Sequence, residues 1–297
     1  MNRTGVIAWV LVAGLLVNGC GTPRSGALGP APTAAPSRTA PTSAAPTSAP
    51  ATERPDPTAS VRPPRSPTTS PPGPADPRDT VTIELWLVRA GQLVPTTRAR
   101  PATLATSRLA LTELAAGPTP AEAAAGLTTL VPAGIEVSRI TDGTATLRVP
   151  SVGDPVRRRL REAQVVWTLT QFPTVRQVSL DGARPVGRSD YADLLPPIVV
   201  TSPTAGERVA APLVVTGTAT VFEATVSVRV LDAAGREVAT GFGTASCGSG
   251  CRGGYRVVVA WPTAREQQGT VEVYEVSAHD GSRIHTTAVP VILAPGA

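Results

Sequence analysis

Residues 135–180 read IEVSRITDGTATLRVPSVGDPVRRRLREAQVVWTLTQFPTVRQVSL. Two β-rich runs, Ile135 to Ile140 and Thr144 to Val149, flank Asp142-Gly143. That dipeptide signals a tight hairpin, because both central residues of such a turn need positive φ. Asp154-Pro155 then supplies an N-cap followed by proline at the first helical position. Beyond it the pattern takes a helical period that places Val156, Leu160, Ala163, Trp167 and Thr170 on one face. Phe172-Pro173 ends the helix, and Val175 to Leu180 returns to a strand closed by Asp181-Gly182.

Upstream, Val81 to Val88 alternates as a strand with a buried face, and Gly91-Gln92 is turn chemistry. From Ala102 to Ala116 the pattern is helical. Leu104, Arg108, Leu111 and Leu114 or Ala115 share a stripe, and Gly117-Pro118 stops it. The order is strand, helix, two strands, helix, strand. It predicts an α+β fold over residues 80–195, a small βαββαβ-like sandwich with helices on one face of a sheet.

Pro196-Pro197 marks a boundary, and helical periodicity disappears after it. Seven short strands are predicted between 196 and 294: Ile198–Thr201, Leu213–Thr216, Thr225–Leu231, Arg236–Gly241, Tyr255–Trp261, Thr270–Val276 and Arg283–Leu293. Seven alternating strands with turn signals between them suggest an all-β immunoglobulin-like sandwich. Phe222 is expected in its core and Glu223 at a bend or bulge, with a recognition role as the alternative. Trp86, Trp167 and Trp261 read as core residues, with an exposed aromatic platform for glycans as the alternative.

The N-terminus reads as an address. Arg3 precedes an apolar run from Gly5 to Val17, too short for a membrane span of about 20 residues. It ends in Val17-Asn18-Gly19-Cys20, which resembles a bacterial lipobox. The resemblance implies a signal peptide over 1–19, cleavage before Cys20, and acylation that anchors the protein to the membrane through that cysteine. Stable anchoring follows from several acyl chains, where one holds only marginally. Residues 20–79 form a linker rich in Pro, Ala, Ser and Thr. It contains 16 of the 32 prolines and too little apolar surface to offset ordering, so a disordered stalk is expected.

All 27 basic residues are arginine and the net charge is +5. Residues 80–197 hold 13 arginines against 10 acidic residues, and residues 198–297 hold 7 against 8. A nucleic-acid partner would need positive charge gathered on one folded surface, so none is expected. Arg157, Arg158, Arg159 and Arg161 do crowd the first turns of the second helix, where positive charge opposes the helix dipole. They read either as a solvated face or as a site for an anionic wall polymer, headgroup or partner.

With Cys20 lipidated, Cys247 and Cys251 remain, and an exported pair is expected to form a disulfide. A lone C-x₃-C could hold a metal, but zinc needs more ligands, and His279 and His285 lie far along the chain. His279-Asp280 reads as a turn pair. No G-x-S-x-G, H-E-x-x-H, P-loop or dinucleotide fingerprint occurs. No catalytic residue, metal or cofactor is therefore assigned.

Several spaced motifs carry a resemblance. Ile83-Glu84-Leu85-Trp86-Leu87, Leu93-Val94-Pro95 and Arg98 are similar to the start of the GerMN domain of bacterial spore-germination and sporulation proteins. So are Leu111-Thr112-Glu113-Leu114 with Ala116-Gly117-Pro118, Val131-Pro132-Ala133-Gly134, and Val166 to Pro173. Ile198 to Pro203, Val214 to Ala219, Val221 to Thr225 and Ala278 to Ser282 resemble the immunoglobulin-like domain that accompanies germination modules. The resemblance implies an extracytoplasmic module of a kind often carried on lipoproteins, and together with the lipobox it leads to an expected lipid-anchored place on the outer face of the cell membrane. Its expected role is non-enzymatic binding or assembly of an envelope protein or cell-wall partner, in connection with sporulation or germination. The alternative is a receptor for wall glycan or a small ligand.

Overall fold

The computed structural model describes residues 80–149, 154–262 and 265–295. The expected signal peptide, Cys20 and the linker lie outside the described residues.

β1 (Thr80–Arg89) and β2 (Gln92–Pro101) form an antiparallel hairpin around Ala90-Gly91. Both turn residues have positive φ, 49° and 78°, as a two-residue hairpin turn requires. α1 (Thr106–Ala116) follows and ends at Gly117, whose φ is 84°. α2 (Pro120–Ala124) is a single short turn, capped by Thr119 and begun by proline. β3 (Val137–Thr141) pairs antiparallel with β4 (Thr144–Leu147) through Asp142-Gly143. α3 (Pro155–Leu169) crosses over to β5 (Gln177–Leu180), which lies parallel to β4. The Asp154 carboxylate caps α3 by accepting from the Val156 and Arg157 amides.

The strands form two sheets, a hairpin and a three-stranded β3-β4-β5, where one small sheet was expected. Side chains account for the split. The β1 groups that face away from β2 do not meet another strand at Glu84 and Trp86; they meet α3 and the segment just after it. The Gln164 amide donates to the Trp86 carbonyl at 2.8 Å, and the Thr168 hydroxyl accepts from the Trp86 amide at 3.1 Å. Gln171 both accepts from and donates to the Glu84 backbone, at 2.8 and 2.7 Å. Residues 164, 168 and 171 follow helical spacing and so lie along one face. They satisfy the strand edge as a neighbouring strand would.

Two helical expectations are corrected. Leu104 lies ahead of the first turn of α1 and is fully exposed, because the helix begins only at Thr106. Val156 is exposed in the first turn of α3. The buried face of that helix is broader than the stripe and includes Gln164, Val165, Val166, Thr168 and Leu169. Trp86 is buried, and its ring lies 4.5 Å from that of half-buried Trp167.

The second module has eight strands: β6 (Ile198–Ser202), β7 (Arg208–Val209), β8 (Leu213–Ala219), β9 (Thr225–Leu231), β10 (Glu237–Thr244), β11 (Gly253–Val259), β12 (Gln267–Val276) and β13 (Arg283–Leu293). The two-residue β7, absent from the sequence reading, runs parallel to β13. A five-stranded sheet, β10-β9-β12-β13-β7, faces a three-stranded one, β11-β8-β6. Alternation sends Val226, Val228, Val230, Val271 and Val273 inward against Val215, Val257 and Trp261. Gly241 of β10 permits close approach to β11, since a Cβ there would stand 2.8 Å from Val259 Cγ1. Phe222, expected in the core, is 52% exposed. It opens a 3-10 turn in which Glu223 has φ 52°, and that turn carries the ring away from the sandwich interior.

Candidate functional site

The four arginines of α3 do not form one surface. Arg157 and Arg158 are exposed on the first turn. Arg159 makes two hydrogen bonds of 2.8 Å to the Asp193 carboxylate and lies over the Tyr191 ring at 5.5 Å. The Asp193 hydrogen bond raises the Arg159 pKa above the ordinary arginine value. Arg161 is only 6% exposed and belongs to the packed side of the helix. Arg158, Arg159 and Arg184 border a depression of about 700 Å³, but Glu162, Asp181 and Asp190 border it too. The positive charge there is balanced locally.

Cys247 and Cys251 are joined by a disulfide between β10 and β11, with Cα atoms 5.8 Å apart. Gly250 within the loop has φ 86°, which lets so short a segment turn back. His279 and Asp280 sit in the β12–β13 turn, where the Asp280 carboxylate accepts from the Ser282 amide and hydroxyl. Among the described residues, no cluster of His, Cys, Asp and Glu is arranged to hold a metal ion.

Buried polar groups that the sequence did not reveal have structural partners. Glu122 of α2 is 1% exposed and accepts from Arg98 Nη1 at 2.8 Å, from the Thr96 hydroxyl and from the Thr119 amide. Burial pushes its pKa up, but the hydrogen bonds from Arg98, Thr96 and Thr119 outweigh burial and hold it below the usual glutamate value. Gln164 receives the Leu130 amide at 2.8 Å while donating to Trp86. The signal for both was the capping pattern Thr119-Pro120-Ala121-Glu122 and a glutamine on an otherwise apolar helical face.

A further cleft lies where the modules meet. Val199 of β6 packs into the first core, and the Tyr255 hydroxyl donates to its carbonyl at 3.1 Å. Arg252 donates to the Pro196 carbonyl at 2.8 Å, and Arg89 to the Ala288 carbonyl at 3.2 Å. Beside these contacts a cleft of about 420 Å³ is bordered by Arg89, Pro95, Pro196, Pro197, His285 and Thr286. His285 Nδ1 lies 2.7 Å from Glu275 Oε2, and Glu275 Oε1 accepts the Phe222 amide at 2.9 Å. None of these cleft residues was singled out as a site from sequence, since they are brought together from three separate segments.

An α+β unit with a strand edge closed by helical side chains, followed by an immunoglobulin-like sandwich, defines a two-module protein. The family model described as "Sporulation and spore germination" matches residues 75–183. The model described as "Immunoglobulin-like domain of bacterial spore germination" matches residues 197–282. The chain is a GerMN-domain protein with an immunoglobulin-like domain of the spore-germination type. Among solved structures it is similar to the first GerMN domain of the sporulation protein GerM from Bacillus subtilis. The identity is 25%, with 37% of this chain and 96% of that one covered and a TM-score of 0.29. It is also similar to the tandem GerMN domains of the same protein, at 19% identity, 73% and 61% coverage and a TM-score of 0.32. CopC from Methylosinus trichosporium matches at 19% identity, 33% and 94% coverage and a TM-score of 0.21. At these TM-scores the likenesses add no argument to the family matches. No curated protein matches the chain. No helix among the described residues is long and apolar enough to cross a membrane.

Proposed function

We propose that this chain is a non-enzymatic extracytoplasmic lipoprotein, tethered to the membrane through Cys20, whose two modules bind or assemble envelope partners in sporulation or germination. The observation that carries the reading is the tandem of two germination-type domains, joined through the Arg89 and Arg252 contacts and the burial of Val199. Such contacts favour a single presenting body over two loosely linked beads. The use of Glu122, Gln164 and Glu275 as internal hydrogen-bond hubs supports a scaffold role for these buried groups. Within this reading Arg157 is the member of the α3 arginine cluster left to meet an anionic partner group, since Arg158 pairs with Glu162, Arg159 with Asp193, and Arg161 is packed in the fold.

Two measurements test it. Cells expressing the wild-type chain and Cys20→Ala are fractionated, and the mass of the mature N-terminal peptide is determined. Acylation and membrane retention are expected for wild type, and loss of both for the variant. Retention of the variant with unchanged mass removes the anchor from the reading. Incubation of the purified chain with cell-wall fragments is expected to leave them intact, and turnover that scales with protein concentration overturns the non-enzymatic assignment.

A further inference from the structure

Arg89 ends β1 at the module boundary. Its guanidinium carries a permanent charge and five N–H donors, yet its side-chain hydrogen bond is to one neutral acceptor, the Ala288 carbonyl. Among the described residues no carboxylate pairs with it. Burial holds its pKa below the ordinary arginine value. A partly desolvated charge without a counter-charge is unfavourable, and an anion bound beside it relieves that cost.

The rest of the cleft narrows the choice of anion. Pro95, Pro196, Pro197, Leu93 and Val94 supply rigid apolar walls. His285 is held in a left-handed backbone conformation, φ 53°, uncommon for a residue other than glycine and often found at ligand sites. The Glu275 contact occupies its Nδ1 and fixes the ring, which leaves Nε2 as the ring's remaining polar atom. The volume, about 420 Å³, falls among small-molecule sites. One guanidinium, with the proline walls on one side and Gln92, His285, Thr286 and Thr287 on the other, matches one negative charge with an aliphatic body. A phosphate, with up to two negative charges, would meet a single arginine there.

We infer that the inter-module cleft binds a small aliphatic monocarboxylate, its carboxylate on Arg89 and its hydrocarbon part against the proline walls. This goes beyond a docking role, and it does not depend on the anchor or on any macromolecular partner. Because the cleft is built from the β1–β2 hairpin, the connector and β13, the ligand touches both modules at once.

Calorimetric titration of the full chain with hexanoate, hexanamide and inorganic phosphate tests the assignment, with butanoate and octanoate to bracket size. Hexanoate is expected to bind saturably and to raise the melting temperature. Hexanamide and phosphate are expected to bind at least about tenfold more weakly, the loss of one charge-assisted contact. Arg89→Gln should lose hexanoate binding to a similar degree. Thr286→Trp fills the cleft while leaving Arg89 in place, and it should also weaken binding. It decides the matter if Arg89→Gln fails to fold. Equal binding of hexanoate and hexanamide, phosphate binding as tight as hexanoate, no saturable binding of any of the three carboxylates, or unaltered hexanoate binding by Thr286→Trp would each overturn the proposal.

Discussion

Arg98 and Glu122 meet in a two-pronged ion pair, with Nη1 to Oε1 at 2.8 Å and Nη2 to Oε2 at 2.5 Å, and both side chains are almost fully buried. The pair ties β2 to α2. It is also the reason that the inward face of β2 carries Thr96 and Arg98 where a strand would ordinarily place aliphatic residues.

Removing one member of a buried ion pair strands the other. Glu122→Gln is therefore expected to destabilise the chain by about 3–5 kcal/mol at neutral pH. The folded-state pKa of Glu122 is depressed, so its stabilisation is fully present above the ordinary glutamate value of 4.5 and is lost as pH falls through the depressed folded value. Urea unfolding of wild type and variant across this range should show the gap narrowing as pH falls below 4.5. A gap that stays constant from neutral to strongly acidic pH would show that the carboxylate charge is not the source.

Gln164 stands in for a missing strand neighbour. Gln164→Leu keeps the volume but leaves the Trp86 carbonyl and the Leu130 amide without their partner. The expected cost is roughly 2–4 kcal/mol for two orphaned buried groups. Hydrogen exchange at the Leu130 amide should accelerate more than exchange within β12. A variant as stable as wild type would mean that water replaces the amide at no cost.

The Cys247–Cys251 bridge closes a very short loop. Chain-entropy arguments then give about 2 kcal/mol at most. The double Cys→Ser variant should fold, melt slightly lower and gain mobility between β10 and β11. Global unfolding on reduction would show that the bridge supports more of the sandwich than its own loop.

Phe222 separates a surface aromatic from a core one. Phe222→Ser should change stability by no more than about 0.5 kcal/mol, as exposed positions do. Trp261→Ala, which empties a buried site, should cost about 3–5 kcal/mol. A loss at Phe222 comparable to that at Trp261 would contradict the exposed placement.

What the sequence alone determined about this protein is what local chemistry encodes. Asp142-Gly143 places a hairpin, Asp154-Pro155 starts α3, Gly117 stops α1, and the alternating valines of β8, β9 and β12 mark a sandwich. Each of these signals acts within a few residues, through φ, capping or side-chain period. β2 and α2 escaped because Thr96, Arg98 and Glu122 are buried beside the apolar residues, and a Thr or Arg pointing inward resembles one pointing at water until its partner is known. Phe222 was misplaced for the converse reason, since an aromatic ring says nothing about which way a 3-10 turn will aim it. The α3 arginines were adjacent in sequence, but only the folded chain separated exposed Arg157 and Arg158 from Arg159 on Asp193 and from buried Arg161. The cleft at Arg89 was decided wholly by tertiary structure. Its walls come from a hairpin, a connector and β13, and the burial of that guanidinium against the Ala288 carbonyl needs both modules in place.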